Sequence, residues 1–148
     1  MVDRFERFSF AIFEISHCWH KLAAEEMGKY GLKGPHAVYL ITMVRYPEGI
    51  TAAQLSEISG RDKADVSRAM VQLEQKGLIT RATQVQYRAP LKLTEEGKQA
   101  ATHLCSRAAV AVELAGKGIS DVHREIFYTA LESITANLQT LSKEGLPN

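Results

Sequence analysis

TAAQLSEISGRDKADVSRAMVQLEQKGLITRATQVQYRAPLKLT, residues 51–94, is the stretch that decides the fold. It opens with Thr51 and Gln54 in the Thr-x-x-Gln spacing of a capping box, in which each side chain satisfies the other residue's free backbone N–H. The helix that starts there is short, with Leu55 and Ile58 as its expected buried positions and Ser59-Gly60 as its end. Asp62 then reads as the N-cap of a second helix. Val66, Ala69, Met70 and Leu73 mark the inner face of that helix, and Gly77 stops it. From Leu78 to Leu93 the period changes. Ile79, Val85, Tyr87 and Leu91-Lys92-Leu93 favour strand, giving a hairpin whose tip falls within 82–89. Pro90 has no N–H to contribute to a ladder, so its strand is expected at a sheet edge.

Two capped helices joined by a tight turn and followed by a hairpin match a winged helix-turn-helix, whose second helix enters the major groove of DNA. That task requires small or hydrogen-bonding side chains on the outer face near the helix N-terminus. Lys63, Ala64, Asp65, Ser67 and Arg68 stand there. Arg68 has the geometry to read guanine bidentately, and Asp65 to accept from cytosine N4 or to orient a neighbouring base.

Charge is distributed to the same end. The 148-residue chain carries a net +1, which by itself points to no partner. Residues 61–98, however, hold eight Lys or Arg against five Asp or Glu, whereas the segments on either side are each net −1. Between Gly77 and Thr94 there is no acid at all, only Arg81, Arg88 and Lys92, so the hairpin is suited to lie against phosphates. A solvated, turn-rich surface is the plain alternative for such a pattern.

The flanks of this unit are helical. Phe5, Phe8, Ile12, Ile15, Trp19 and Leu22 recur at steps of three and four before Gly28, with Phe10 and Phe13 adding apolar surface off that stripe. A helix apolar over so wide an arc needs more than one packing partner. A second helix is expected over 35–45, with Pro35 in its first turn and Val38, Leu40, Ile41 and Val44 on its buried side. Thr94-Glu95-Glu96 reads as the capped start of an alanine-rich helix running to about Ala115. Ser120-Asp121 opens the last helix, whose stripe is Val122, Ile126, Ala130, Ile134, Leu138 and Leu141. The small central unit cannot cover both terminal stripes. Phe5, Phe8 and Ile12 at one end and Ile134, Leu138 and Leu141 at the other therefore predict an intersubunit seam, since burying each is worth roughly 1.5–3 kcal/mol; packing of the first helix on the last within one chain is the alternative, and both can hold at once.

Leu73-Glu74-Gln75-Lys76-Gly77-Leu78-Ile79, then Leu93-Thr94-Glu95-Glu96-Gly97, with Ile50-Thr51-Ala52-Ala53-Gln54-Leu55-Ser56 ahead of them, resembles the multiple-antibiotic-resistance regulator (MarR) family. The resemblance follows the element order of essentially the whole chain. It implies a mainly α, winged helix-turn-helix fold with long N- and C-terminal dimerisation helices and a two-stranded β wing. It further implies a single domain over 1–148, with the DNA-binding lobe at 35–98 and the helical dimerisation region at 1–30 and 99–148. Its function would be that of a ligand-responsive repressor, binding double-stranded DNA as a homodimer at a pseudo-palindromic operator with half-sites about 10 bp apart. Lys63, Ala64, Asp65, Ser67 and Arg68 become the groove-facing positions and Arg88 the wing arginine. Thr51, Arg81 and Lys92 complete the expected DNA-binding set. One departure stands out: the family's wing carries Asp-x-Arg, whereas Thr83-Gln84-Val85-Gln86-Tyr87-Arg88 has no Asp to brace its arginine.

The resemblance also implies a small aromatic or phenolic effector between the dimer helices and the lobe, with Trp19, His36 and Tyr39 as the expected lining; ordinary core packing is the alternative. Cys18, mid-helix between His17 and Trp19, is the candidate redox thiol, set against the reading of an inert buried cysteine. The resemblance allows a zinc site among His17, His20, His36 and His103, set against scattered polar histidines; no motif has clear metal-ligand spacing, so no metal or cofactor is expected. No glycine-rich phosphate loop, HExxH or nucleophile elbow marks an enzyme. The start of the chain lacks the apolar run of a secretory signal, and no stretch reaches the roughly 20 apolar residues of a membrane span, so a cytoplasmic chain without a membrane partner is expected. The rival to a DNA reader is a winged helix that binds only protein.

Overall fold

The computed structural model describes residues 2–82 and 89–148. It is mainly helical, in the order α1 (Val2–Gly28), α2 (His36–Met43), α3 (Ala52–Ser59), α4 (Lys63–Gln75), β1 (Ile79–Arg81), β2 (Leu91–Leu93), α5 (Glu95–Ala115) and α6 (Asp121–Glu144). The chain clusters into two compact units, Met1–Arg107 and Ala108–Asn148.

The core lies in the first unit. Met27, Leu40, Met43, Leu55, Val66, Met70, Leu73 and Leu91 are almost wholly shielded, joined by Tyr39, Ile50, Ala100, Ala101 and Leu104. Helix α1 contributes to this core only through its last turns, at Met27. Its stripe from Phe5 to Leu22, together with Phe10 and Phe13, is left exposed in the single chain.

Local signals set the element ends. The Thr51 hydroxyl accepts from Gln54 N (3.2 Å) while Gln54 Oε1 accepts from Thr51 N (2.9 Å), so both halves of the capping box form. Gly60 adopts the left-handed region (φ 66°) that ends α3 and turns the chain into α4. Asp62 occupies the N-cap of α4, but its side chain makes no capping hydrogen bond. Thr94 Oγ1 accepts from Gly97 N (3.1 Å) at the start of α5 and donates to Gly77 O (2.6 Å), tying the end of the hairpin to the end of α4. In the second unit, Ser120 Oγ accepts from His123 N (3.3 Å) to cap α6, and Arg124 donates to Glu113 (2.9 Å) and to Gly116 O (2.8 Å).

Three sequence expectations are corrected. The buried side of α2 is His36, Tyr39, Leu40 and Met43, not Val38 and Val44, which are exposed, while Ile41 is half-buried. The helix is apolar nearly all round, so periodicity had little contrast from which to choose a face; Tyr39, Leu40 and Met43 turn their greater bulk into the core. Ile58 of α3 is 50% exposed, because so short a helix buries a single anchor, Leu55, against α4. Finally, β2 is not a free edge. It pairs with β1 in the register Ile79↔Leu93, Thr80↔Lys92 and Arg81↔Leu91. On its other side Ile50 exchanges hydrogen bonds with Leu91, Ile50 N to Leu91 O at 3.0 Å and Leu91 N to Ile50 O at 2.8 Å. Pro90 is tolerated because it precedes the ladder, where its carbonyl accepts from Ala82 N (3.1 Å).

Candidate nucleic-acid interface

Helix α4 owes its orientation to its own pattern. Val66, Ala69, Met70 and Leu73 are buried, which fixes one stripe inward and sends the opposite stripe to solvent. The turn before it is held by Ser56 Oγ, which donates to Arg61 O at 2.6 Å. On the outer side Lys63, Ala64, Asp65 and Arg68 are exposed and Ser67 is half-buried. These expected groove residues thus share one accessible end of α4.

Arg68 is ion-paired with Asp65 one turn earlier, both side chains lying largely in water. A surface pair of this kind contributes about 0–1 kcal/mol, so it holds the guanidinium loosely and a better acceptor displaces it. Arg81 is placed differently. Its Nε donates to Glu74 Oε2 at 2.9 Å, and only a quarter of the side chain is exposed, so in this structure it braces β1 against α4. Lys92, in β2, is half-buried along a shallow groove with Met43, Val44, Pro47 and Lys98. The Thr51 hydroxyl is engaged inside the capping box, where it also lies 3.1 Å from Gln54 Oε1. Arg88 lies outside the described residues.

Of the expected effector residues, His36 and Tyr39 are brought together on α2, their rings 6.5 Å apart, and both are buried. Burial, helped by the nearby charges of Lys33 and Arg61, holds the His36 imidazole below its usual pKa, and its Nδ1 accepts from Lys33 N at 3.4 Å. Burial likewise raises the Tyr39 phenol. Trp19 is exposed on α1 and pairs with neither ring. Cys18 and Cys105 are both free and exposed in the single chain, which removes burial as a reason for either to be inert.

Sequence reasoning missed two features of this surface and one elsewhere. Arg61, in the turn before α4, is exposed and close enough to bear on the ionisation of His36 and Tyr39. Its place directly before the Asp62 N-cap was the available signal. Val71 and Gln75 continue the exposed stripe of α4 beyond Arg68 at steps of three and four, a spacing already visible in the sequence. Elsewhere in the first unit, Glu26 of α1 accepts from Lys29 (2.7 Å) and Arg107 (3.0 Å) and lies 3.0 Å from His103 Nε2, tying the end of α1 to α5. Those bonds, from Lys29 first and then Arg107, lower its carboxyl pKa to about 2. Among the described residues, no cluster of three or more His, Cys, Asp or Glu side chains has the arrangement of a metal site, and no helix is long and apolar enough to cross a membrane.

Comparison with known proteins bears on this geometry. Residues 30–88 match the model of the MarR family. A MarR transcriptional regulator from Methanosarcina mazei Go1 has the same fold, with a TM-score of 0.81 at 22% identity over 92% of this chain and 92% of that one. MepR of S. aureus, solved in complex with DNA, gives 0.78 at 20% identity over 88% and 97% of the two chains. A MarR protein from Peptoclostridium difficile gives 0.80 at 16% identity over 90% and 88%. No curated protein sequence matches the chain. Residues 30–88 are thus similar to the MarR family, and the chain shares the fold of these solved regulators over about nine-tenths of its length.

Proposed function

We propose that this protein is a sequence-specific, DNA-binding transcription regulator that acts as a homodimer on a pseudo-palindromic operator. The observation that carries the reading is the outer side of α4: Lys63, Ala64, Asp65 and Arg68 lie exposed together on a helix whose other face is locked into the core. The excess of basic residues between 61 and 98 supports it, as does the solved DNA complex of a structural neighbour. In this reading α4 enters the major groove, Arg68 exchanges Asp65 for a guanine edge, and the basic hairpin with Lys92 and Arg88 lies against the phosphates. Arg81 acts from its place beside Glu74, positioning the hairpin or turning to a phosphate when DNA is present. Thr51 acts by setting the start of α3.

The exposed stripes of α1 and of α6 supply the seam between two copies. The lobe is the segment 35–98, and the dimerisation region is 1–30 with 99–148. Response to a small aromatic effector, through Trp19, His36 and Tyr39, makes the regulator a ligand-responsive repressor: a ligand that favours one spacing of the two lobes shifts the dimer toward or away from its DNA-binding form. Cys18 is a further candidate input, its thiol being accessible in the single chain. A regulator of this kind works in the cytoplasm and catalyses no reaction.

The test is binding to fluorescent duplexes taken from around the protein's own gene, at two salt concentrations. The expected result is tight, salt-sensitive binding to one short palindromic fragment, weakened by Arg68→Ala by about 1–3 kcal/mol with relaxed sequence preference. Absence of binding at low salt by an intact dimer refutes the reading and leaves the protein-binding winged helix in its place.

A further inference from the structure

Val71 is an apolar side chain on a surface that otherwise offers polar groups. Ala64, Arg68, Val71 and Gln75 follow one another at steps of four, three and four, so they form a single line along α4 opposite the buried Val66, Ala69, Met70 and Leu73. All four are exposed, Val71 by 46%. A β-branched residue is a weaker helix former than the Lys, Glu or Gln that suit a solvated helix face, so helix propensity does not select valine here. The residue lies one turn from Arg68. At a rise of 1.5 Å per residue the two are about 4.5 Å apart along the helix, the span of one to two base-pair steps.

The major groove offers one apolar group among its donors and acceptors, the 5-methyl of thymine. We propose that Val71 is a specificity-determining residue that packs its methyl groups against the 5-methyl of a thymine one or two steps from the base pair read by Arg68. The small Ala64 on the other side of Arg68 keeps the helix close to the bases. Charge complementarity brings DNA to this face, since Arg68 lies one turn before Val71 within the net-basic 61–98 segment. The inference rests on the DNA-binding reading above and adds a base to it.

The experiment uses the full-length protein and a duplex selected by it from a random library. Each thymine is replaced in turn by deoxyuridine, which removes the methyl and keeps every hydrogen bond, and binding is read by fluorescence anisotropy. Loss of one buried methyl contact is worth about fourfold in Kd. The wild-type protein is therefore expected to lose about fourfold at one thymine per half-site, and about fifteenfold when both half-sites are substituted. Val71→Ala binds the thymine and uracil duplexes equally at that position, while Val71→Ile keeps the discrimination; matched thermal midpoints verify that both variants fold. The proposal is overturned if Val71→Ala shows the same uracil penalties as wild type at every position, or if the selected half-site has no thymine there. If the wild-type protein selects no sequence at all, the DNA-binding reading falls with it, which separates the two failures.

Discussion

Gly97 offers a test in which two physical effects have opposite signs. It is the third residue of α5, in an ordinary helical conformation that alanine adopts freely, so helix propensity favours Gly97→Ala by up to about 1 kcal/mol. Packing opposes it. A Cβ at this position would collide with the backbone carbonyl oxygen of Leu78 and would stand 2.9 Å from the Leu78 carbonyl carbon and 3.2 Å from Leu93 Cδ2. That carbonyl has little freedom to retreat, because it accepts from Thr94 N at 3.0 Å and belongs to a buried residue at the head of β1. Overpacking typically costs about 1–3 kcal/mol, and an obstacle of backbone lies toward the upper end. The net expectation is a loss of about 2 kcal/mol. With an m-value of about 2 kcal/mol/M, the urea midpoint falls by about 1 M at fixed chain concentration. Gly28→Ala is the control, since nothing lies within 4 Å of a Cβ there, and its midpoint is expected to stay or rise. A Gly97→Ala midpoint equal to or above that of wild type refutes the argument that α5 and the wing are held at backbone contact.

Two further outcomes follow from local chemistry. Thr51→Ala removes the hydroxyl that accepts from Gln54 N and is expected to cost about 1 kcal/mol, read by the same urea titration; no change in midpoint would mean that water replaces the cap fully. Glu26 has a folded-state pKa of about 2 against an ordinary 4.5, so the stability it contributes is present above about pH 4.5 and is lost as pH falls toward 2. Glu26→Gln should therefore flatten the acid limb of the stability–pH curve relative to wild type, and an unchanged limb would show that the bonds to Lys29, Arg107 and His103 do not persist in solution.

Much of this architecture was legible in the sequence because the signals are local. The Thr51–Gln54 box, Gly60, Thr94 and Ser120 act within one turn of the residues they cap, and the α4 stripe contrasts apolar with polar side chains strongly enough to name its buried face. From that face the exposed positions Lys63, Ala64, Asp65 and Arg68 followed directly. Elsewhere the same reasoning had nothing to work with. Helix α2 is apolar on almost every side, so only its neighbours could choose Tyr39 and Met43 over Val38 and Val44. The bridge from Ile50 to Leu91 joins residues 41 apart, and no property of either one announces it. Composition marked Arg81 as a phosphate contact, but its pairing with Glu74, seven residues back on α4, could be read only once β1 was seen to lie beside that helix. Capping and periodicity are properties of neighbouring residues and can be read from the chain. Partner choice among distant residues depends on which surfaces meet when the core closes, and that is decided only in three dimensions.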